Sequence, residues 1–479
     1  MMKWRNLYIS VFCLMLAVSC SSDYVPDKAL FGDSPIWPDY REVSVPSTIA
    51  PLDFCYAGYA GTTRFSAGDF SFTVKGQEVV IPSKKWSKLL SLAVGGSIDV
   101  AADNGLNWKI YVSEDAIDYG LNYRLLAPGY EVYSKMGIYE RSLSDYSQRA
   151  LIENTQFDGC VNCHAYNRGN PEDFSIHIRG DHGATLMRLR GDMEVYNTKT
   201  DSTLGFCVYP YWHPEGRYLA FSTNSTRQGF HVQQDKLIEV FDLDSDLQIY
   251  DTQTNEVITA PQVKESGIWE TFPSFSPDGC TLYFCKAVAR PIPEQVTEIR
   301  YNLCKVSFDP ATGTIGKDVE VLIDAESEGR SISFPKPSFD GRFIMYTQSD
   351  YGNFSIWHHE ADLWLLDLQT GERHPLEGVN STDTESYHNW SSNSRWFVFS
   401  SRRDNGLHTR LYLCHIDGDG VTGKPFMLPQ QHPASYYEDL MLSYNVPEFV
   451  TAPVRFDKKR AEKLINSPAR KPFGFRWSD

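Results

Sequence analysis

Beyond its N-terminus this chain has no stretch approaching the ~20 consecutive apolar residues that a membrane-spanning helix requires. It contains no GxSxG, no HExxH and no phosphate-cradling glycine loop, which argues against standard hydrolase and nucleotide chemistry. Basic residues are in deficit, with 45 Lys and Arg against 61 Asp and Glu. Such a surface repels phosphate backbones, so nucleic acid is not an expected partner. Cysteine is sparse as well. Of ten, the six at Cys55, Cys207, Cys280, Cys285, Cys304 and Cys414 are too scattered to form a disulfide framework. They are expected as buried thiols, with a Cys285 to Cys304 bridge left open.

What the chain has in quantity is aromatic and turn-forming residues. Tyr, Phe and Trp make up 14% of the 479 residues, beside 26 Pro and 33 Gly, a composition suited to many short strands joined by turns. The N-terminus reads as an export signal: Lys3 and Arg5, an apolar run over 7–18 too short to span a bilayer, then Ser19 and Cys20. The segment LAVSC at 16–20 resembles a bacterial lipobox, which implies that residues 1–19 are removed and that Cys20 carries the lipid. Residues 20–39 would then be a tether, and the lack of an acidic residue directly after Cys20 favours the outer membrane by the same resemblance. Without residues 1–19 the chain has 43 basic and 61 acidic residues, a net charge of −18.

One motif carries chemistry. Residues 160–164 read CVNCH, the CxxCH pattern of c-type haem attachment. Cys160 and Cys163 would bond the two vinyl groups and His164 would be the proximal iron ligand. Haem c, one per chain and covalent, is therefore the expected cofactor. The bland alternative is a CxxC pair beside an unrelated His. Candidates for the distal ligand are His177 and His182, Met187 and Met193, and the more remote His213, His231 and His388. Of these His177 is taken forward, although a packed His is the default for an alternating strand. His358, His359, Glu360 and Asp362 form a weaker metal-like group, because adjacent His residues in a strand point to opposite faces.

Internal repetition supplies the architecture. Four segments share a pattern: YPYWHPEGRYLAFS at 209–222, FPSFSPDGCTLYFC at 272–285, FPKPSFDGRFIMYT at 334–347 and YHNWSSNSRWFVFS at 387–400. Each has an aromatic-bearing stretch, a turn built on Pro-Asp-Gly or a relative, and an alternating apolar strand. Pro presets φ, Asp or Asn bonds its own backbone, and Gly accepts positive φ, so the chain reverses there. The turn residues Gly216, Gly279, Gly341 and Ser394 lie 63, 62 and 53 residues apart, room for a four-stranded blade and a loop. Residues 208–430 resemble the TolB-like β-propeller repeats, whose blades begin with Pro-Ser-Phe-Ser-Pro-Asp-Gly. The copy at 272–285 matches nearly letter for letter. A degenerate blade containing CVNCH in its entering loop precedes them, and 440–444 is expected to close the ring.

The expected fold class is therefore all-β: a β-propeller of six four-stranded blades, with five or seven as alternatives, over 116–450. A small β-sandwich-like domain at 40–115 precedes it, and a basic tail follows at 451–479, read as a solvated helix or arm on the propeller or as a contact with anionic lipid. The layout as a whole is similar to a group of Bacteroidota lipoproteins labelled TolB-like or connected with cytochrome c biosynthesis. That resemblance implies no established activity. Two readings follow: an electron carrier docking envelope or redox partners, anchored to the membrane by lipid, or a haem-free binding scaffold. Both are non-enzymatic, and a third, an enzyme acting through the haem iron, would need an open coordination site.

Overall fold

The computed structural model describes residues 31–128, 135–157, 159–230 and 237–478. The signal segment, Cys20, the first part of the tether and His231 lie outside the described residues.

Six antiparallel sheets, each of four main strands, follow one another along the chain and form a six-bladed propeller. Blade 2 is Cys160–Asn167, Asn170–Arg179, Ala184–Leu189 and Asp192–Asn197. Blade 3 begins with Cys207–Trp212, blade 4 with Ile268–Phe275, blade 5 with Ser331–Pro337 and blade 6 with Glu385–Trp390. Blade 1 is assembled from both ends: Ser443–Val450 pairs with Gly120–Leu126, which continues to Gly137–Ser142 and Gln148–Glu153. The ring therefore closes non-covalently, through one strand.

The turns work as their sequences dictate. Gly216, Gly279 and Gly341 take φ of 74°, 73° and 78°, and Ser394 takes 58° at the equivalent place. The apolar cores lie between neighbouring blades, as between blades 3 and 4, where Tyr218, Ile249, Phe275, Phe284 and Val306 are buried together. Each blade is thus packed on both faces. This is why its strands depart from simple alternation.

The closing strand runs over Ser443–Val450, further along than 440–444. Leu440 and Met441 instead follow the short helix Pro433–Asp439, with Met441 left 68% exposed. The true strand was disguised because Pro447 and a bulge interrupt its pattern.

Ahead of the propeller, a five-stranded sheet contains Val43–Pro46, Asn107–Ser113, Ser97–Ala102, Gly61–Ala67 and Phe70–Gly76 in that order. A three-stranded sheet of Ile36–Trp37, Phe54–Tyr56 and Glu78–Val79 lies beside it. The segment also holds a helix, Ser83–Ala93, that a strands-only reading does not contain. Its buried residues Trp86, Leu89, Leu90 and Ala93 fall at helical spacing, and the Trp86 indole donates to the Ile49 carbonyl at 3.0 Å. One continuous core joins this unit to blades 1, 5 and 6.

The basic tail packs on the propeller as helix and arm. Helix Lys458–Asn466 buries Ala461 and Ile465 against blades 1 and 2. Lys471–Pro472 then adds a parallel strand to blade 2, and Gly474–Trp477 adds one to blade 3.

Candidate functional site

The innermost strand of every blade is interrupted by a bulge, and the bulges fall at equivalent places. In blades 3, 4, 5, 6 and 1 the unpaired residues are Tyr209-Pro210, Phe272-Pro273, Phe334-Pro335, Tyr387-His388 and Val446-Pro447. In blade 2 the register shifts between Asn162 and His164, which leaves Cys163 unpaired and His164 next to it opposite Ile176. The first residue of the five non-cysteine pairs holds a left-handed φ between 50° and 54°. Such a conformation costs a non-glycine residue roughly 1–2 kcal/mol, and its repetition around the ring marks a built feature rather than a local accident.

These bulges turn their side chains onto the propeller axis. Ring centroids of Tyr209 and Phe272 lie 4.6 Å apart, those of Phe272 and Phe334 4.2 Å, and those of Phe334 and Tyr387 5.0 Å. Blades 3 to 6 thus supply a continuous aromatic arc, and blades 2 and 1 complete the circle with the smaller Cys163 and Val446. The tier lines an axial cavity of about 370 Å³, within the size range of small-molecule sites.

The two histidines stand where four other blades have proline. His164 and His388 both line the cavity and both are buried. The Nε2 of His164 has no hydrogen-bond partner and lies 3.9 Å from the Glu448 carboxylate. His388 pairs Nε2 with the Met345 carbonyl at 2.9 Å, and its Nδ1 has no partner. Burial pushes both imidazoles down to about 3, so each is neutral at ordinary pH. In His388 the ring nitrogen bonded to the Met345 carbonyl must carry the proton, which leaves Nδ1 with an open lone pair.

The motif is not in a loop but in the strand Cys160–Asn167. Extended backbone separates residues three apart by about 10 Å, too far for a Cys160 to Cys163 disulfide, and both thiols are free. In an unbroken strand the two would face opposite ways. The bulge breaks that alternation, and Cys160, Cys163 and His164 all open onto the same cavity. Two thiols and a neutral imidazole on one partly aromatic cavity form a donor set that suits a c-type haem.

Charge in the cavity opposes that of the whole chain. Among the described residues its lining contains Arg124, Arg179, Lys336 and Arg402 but a single carboxylate, Glu448. Glu448 accepts the Tyr166 backbone N–H at 3.1 Å, and burial pushes its carboxyl up to about 7 against the pull of Lys336. Burial likewise lowers Lys336 from its ordinary value. The Arg124 guanidinium donates to Asn162 Oδ1 and to Cys160 Sγ, each at 3.2 Å.

The remaining distal candidates are placed elsewhere. His177 is buried in blade 2 with Nδ1 3.2 Å from Thr185 Oγ1, and it is not among the cavity-lining residues. His182 lies in a half-buried turn. Met187 and Met193 are core residues, and His213 pairs with the Gly279 carbonyl at 3.2 Å, tying two blade turns together. His358 contacts Glu239 and Glu360, each at 3.2 Å, and His359 contacts Asp383 at 3.0 Å. Among the described residues no group of three or more His, Cys, Asp or Glu is arranged to hold a metal ion directly. Cys285 and Cys304 sit on adjacent strands but in different cores, on opposite faces of their sheet, and are unbridged.

No family model matches the sequence, and no curated protein matches it. Among solved structures, the chain is similar to a protein described as TolB from Agrobacterium tumefaciens, at 16% identity and a TM-score of 0.39, covering 66% of this chain and 89% of that one. It is also similar to the periplasmic gluconolactonase of Pseudomonas aeruginosa, at 15% identity and a TM-score of 0.37, covering 69% and 100% of the two chains. An oligogalacturonate lyase of Vibrio parahaemolyticus follows at 11% identity and a TM-score of 0.34, covering 64% and 85%. At these values none bears on what this chain binds. The six-bladed architecture stands on its own strand pairing.

Proposed function

We propose that this protein is an exported propeller, lipid-anchored through Cys20, that holds one covalent c-type haem in its axial cavity and passes single electrons between envelope partners. The observation that carries this reading is the opening of Cys160, Cys163 and His164 onto one cavity, with His164 Nε2 free of any hydrogen bond. Cys160 and Cys163 would form the thioethers and His164 the proximal bond. His388 is the side chain best suited to be the second ligand, because its Nδ1 is also without a partner and it lines the same cavity. A haem held there would supply a one-electron redox centre. The rest of the chain has supporting roles. The aromatic arc keeps water from the axis, and the acidic outer surface offers a docking face for basic partners on the periplasmic or outer-membrane side.

The test is to express the protein with a cytochrome c maturation system, denature it and stain for haem on the polypeptide. Haem that co-migrates with the chain supports the proposal. Complete loss, with equal loading confirmed, refutes it and leaves the second reading, a haem-free protein-binding scaffold. That reading draws on the extended conformation of the CxxCH backbone.

A further inference from the structure

Arginine is among the costliest side chains to bury, and an unpaired buried cation costs several kcal/mol. Arg402 is only 2% exposed, lies over the face of Trp357, and donates to the carbonyls of Gly406 and Leu407, both at a long 3.3 Å, while Asp383 acts on it through charge without forming an ion pair. Its Nε has no partner. Arg124 also has an Nε without a partner, and neither residue forms an ion pair among the described residues. Both line the axial cavity, as do Arg179 and Lys336, and Trp357 lines it beside Arg402. Structural cations are normally matched by carboxylates, and this chain has a large excess of them. Among the described residues that line the cavity there is one, Glu448, which accepts the Tyr166 backbone N–H.

We propose that the axial cavity contains a carboxylate subsite built on Arg402 and Arg124, and that its occupant is a flat conjugated acid whose ring system lies against the aromatic arc. The arc supplies stacking surface and the guanidinium groups supply charge-assisted hydrogen bonds, so the two halves of the ligand are read by different parts of the wall. The inference shares its cavity with the haem reading and deepens it by assigning the acid end of the ligand. It requires neither iron nor a thioether.

The experiment uses the chain produced without haem-attachment machinery and titrated with metal-free protoporphyrin IX or with its dimethyl ester, followed by porphyrin fluorescence. The two probes share ring and shape and differ in charge. The diacid should bind at least about tenfold more tightly than the ester, the value of one or two charge-assisted hydrogen bonds. Arg402→Gln should remove most of that preference while leaving ester affinity in place. Arg124→Gln, at a half-buried position, provides the same measurement should Arg402→Gln fail to fold. Equal affinity for acid and ester in the unaltered chain, or no binding of either, overturns the subsite. Haem staining after maturation reports separately on covalent attachment, so an acid preference without staining would leave the subsite standing and remove the haem reading.

Discussion

Phe334 offers a sharp test of the bulged ring. Its ring is buried between those of Phe272 and Tyr387, at 4.2 and 5.0 Å, and its backbone holds φ at 54°. Truncation to Ala removes the packing and should cost about 3–5 kcal/mol, but it keeps the Cβ and hence the left-handed strain of roughly 1–2 kcal/mol. Truncation to Gly loses the same packing and relieves that strain, against an entropic cost of roughly 0.5–1 kcal/mol. Phe334→Gly should therefore be equal to or up to about 1.5 kcal/mol more stable than Phe334→Ala, by the difference of those two terms. The control is Phe397, fully buried in the second strand of blade 6 and without positive φ. There Gly should be the worse replacement by roughly 0.5–1 kcal/mol. Urea unfolding of the four variants, followed by tryptophan fluorescence, gives both differences. If Gly is worse than Ala by the same margin at both positions, Phe334 is not held left-handed and the argument from strain at the axis fails.

Glu270 is fully buried with neither carboxylate oxygen bonded, and burial pushes its pKa from an ordinary 4.5 up to about 8. The folded state thus holds this proton more tightly than the unfolded one, so its contribution is complete below 4.5 and is lost as pH rises toward about 8, by several kcal/mol. Melting temperature measured from pH 5 to pH 9 should fall more steeply for the natural chain than for Glu270→Gln, and parallel curves would contradict this. After expression with a maturation system, Cys160→Ser and Cys163→Ser should each weaken haem retention on a denaturing gel, and the double variant should abolish it. His388→Ala should leave haem attached but convert a low-spin visible spectrum to high-spin, whereas His177→Ala should leave the spectrum unchanged. The reverse pattern would make His177 the distal ligand.

Blades 3 to 6 were legible because Pro-Asp-Gly-type turns fix backbone geometry through a few residues, and the predicted glycines do take positive φ. Blade 2 lacks that signature and was legible only as a degenerate blade. Its first hairpin turns instead on Arg168 and Gly169, at φ 50° and 74°, so its residues could not be aligned one by one with the repeats. Without that alignment, Cys163-His164 could not be matched to the aromatic-Pro pairs, and the kinship of His164 with His388 stayed hidden. Proximity in sequence favoured His177 instead. Helix Ser83–Ala93 was missed for another reason: its lysines and serines mask a four-residue apolar stripe within a segment otherwise rich in strands.

The candidate site also coincides with the place where the ring closes. The Nε2 of His164 faces the Glu448 carboxylate at 3.9 Å. Arg124 reaches across from blade 1 to Asn162 and Cys160. Asn122 and Arg124 belong to the first propeller strand, whereas Glu448 belongs to the last, and the two strands pair directly, Glu448 opposite Asn122 and Asn445 opposite Arg124. The surroundings of His164 are therefore incomplete until the two ends of the propeller have met. Blades 3 to 6 contribute the aromatic arc from contiguous sequence, but the arc where Cys163 and Val446 replace aromatic rings is formed only by closure. Closure thus couples the wall around the CxxCH motif to the same long-range pairing that holds the fold, which ties assembly of the site to completion of the ring.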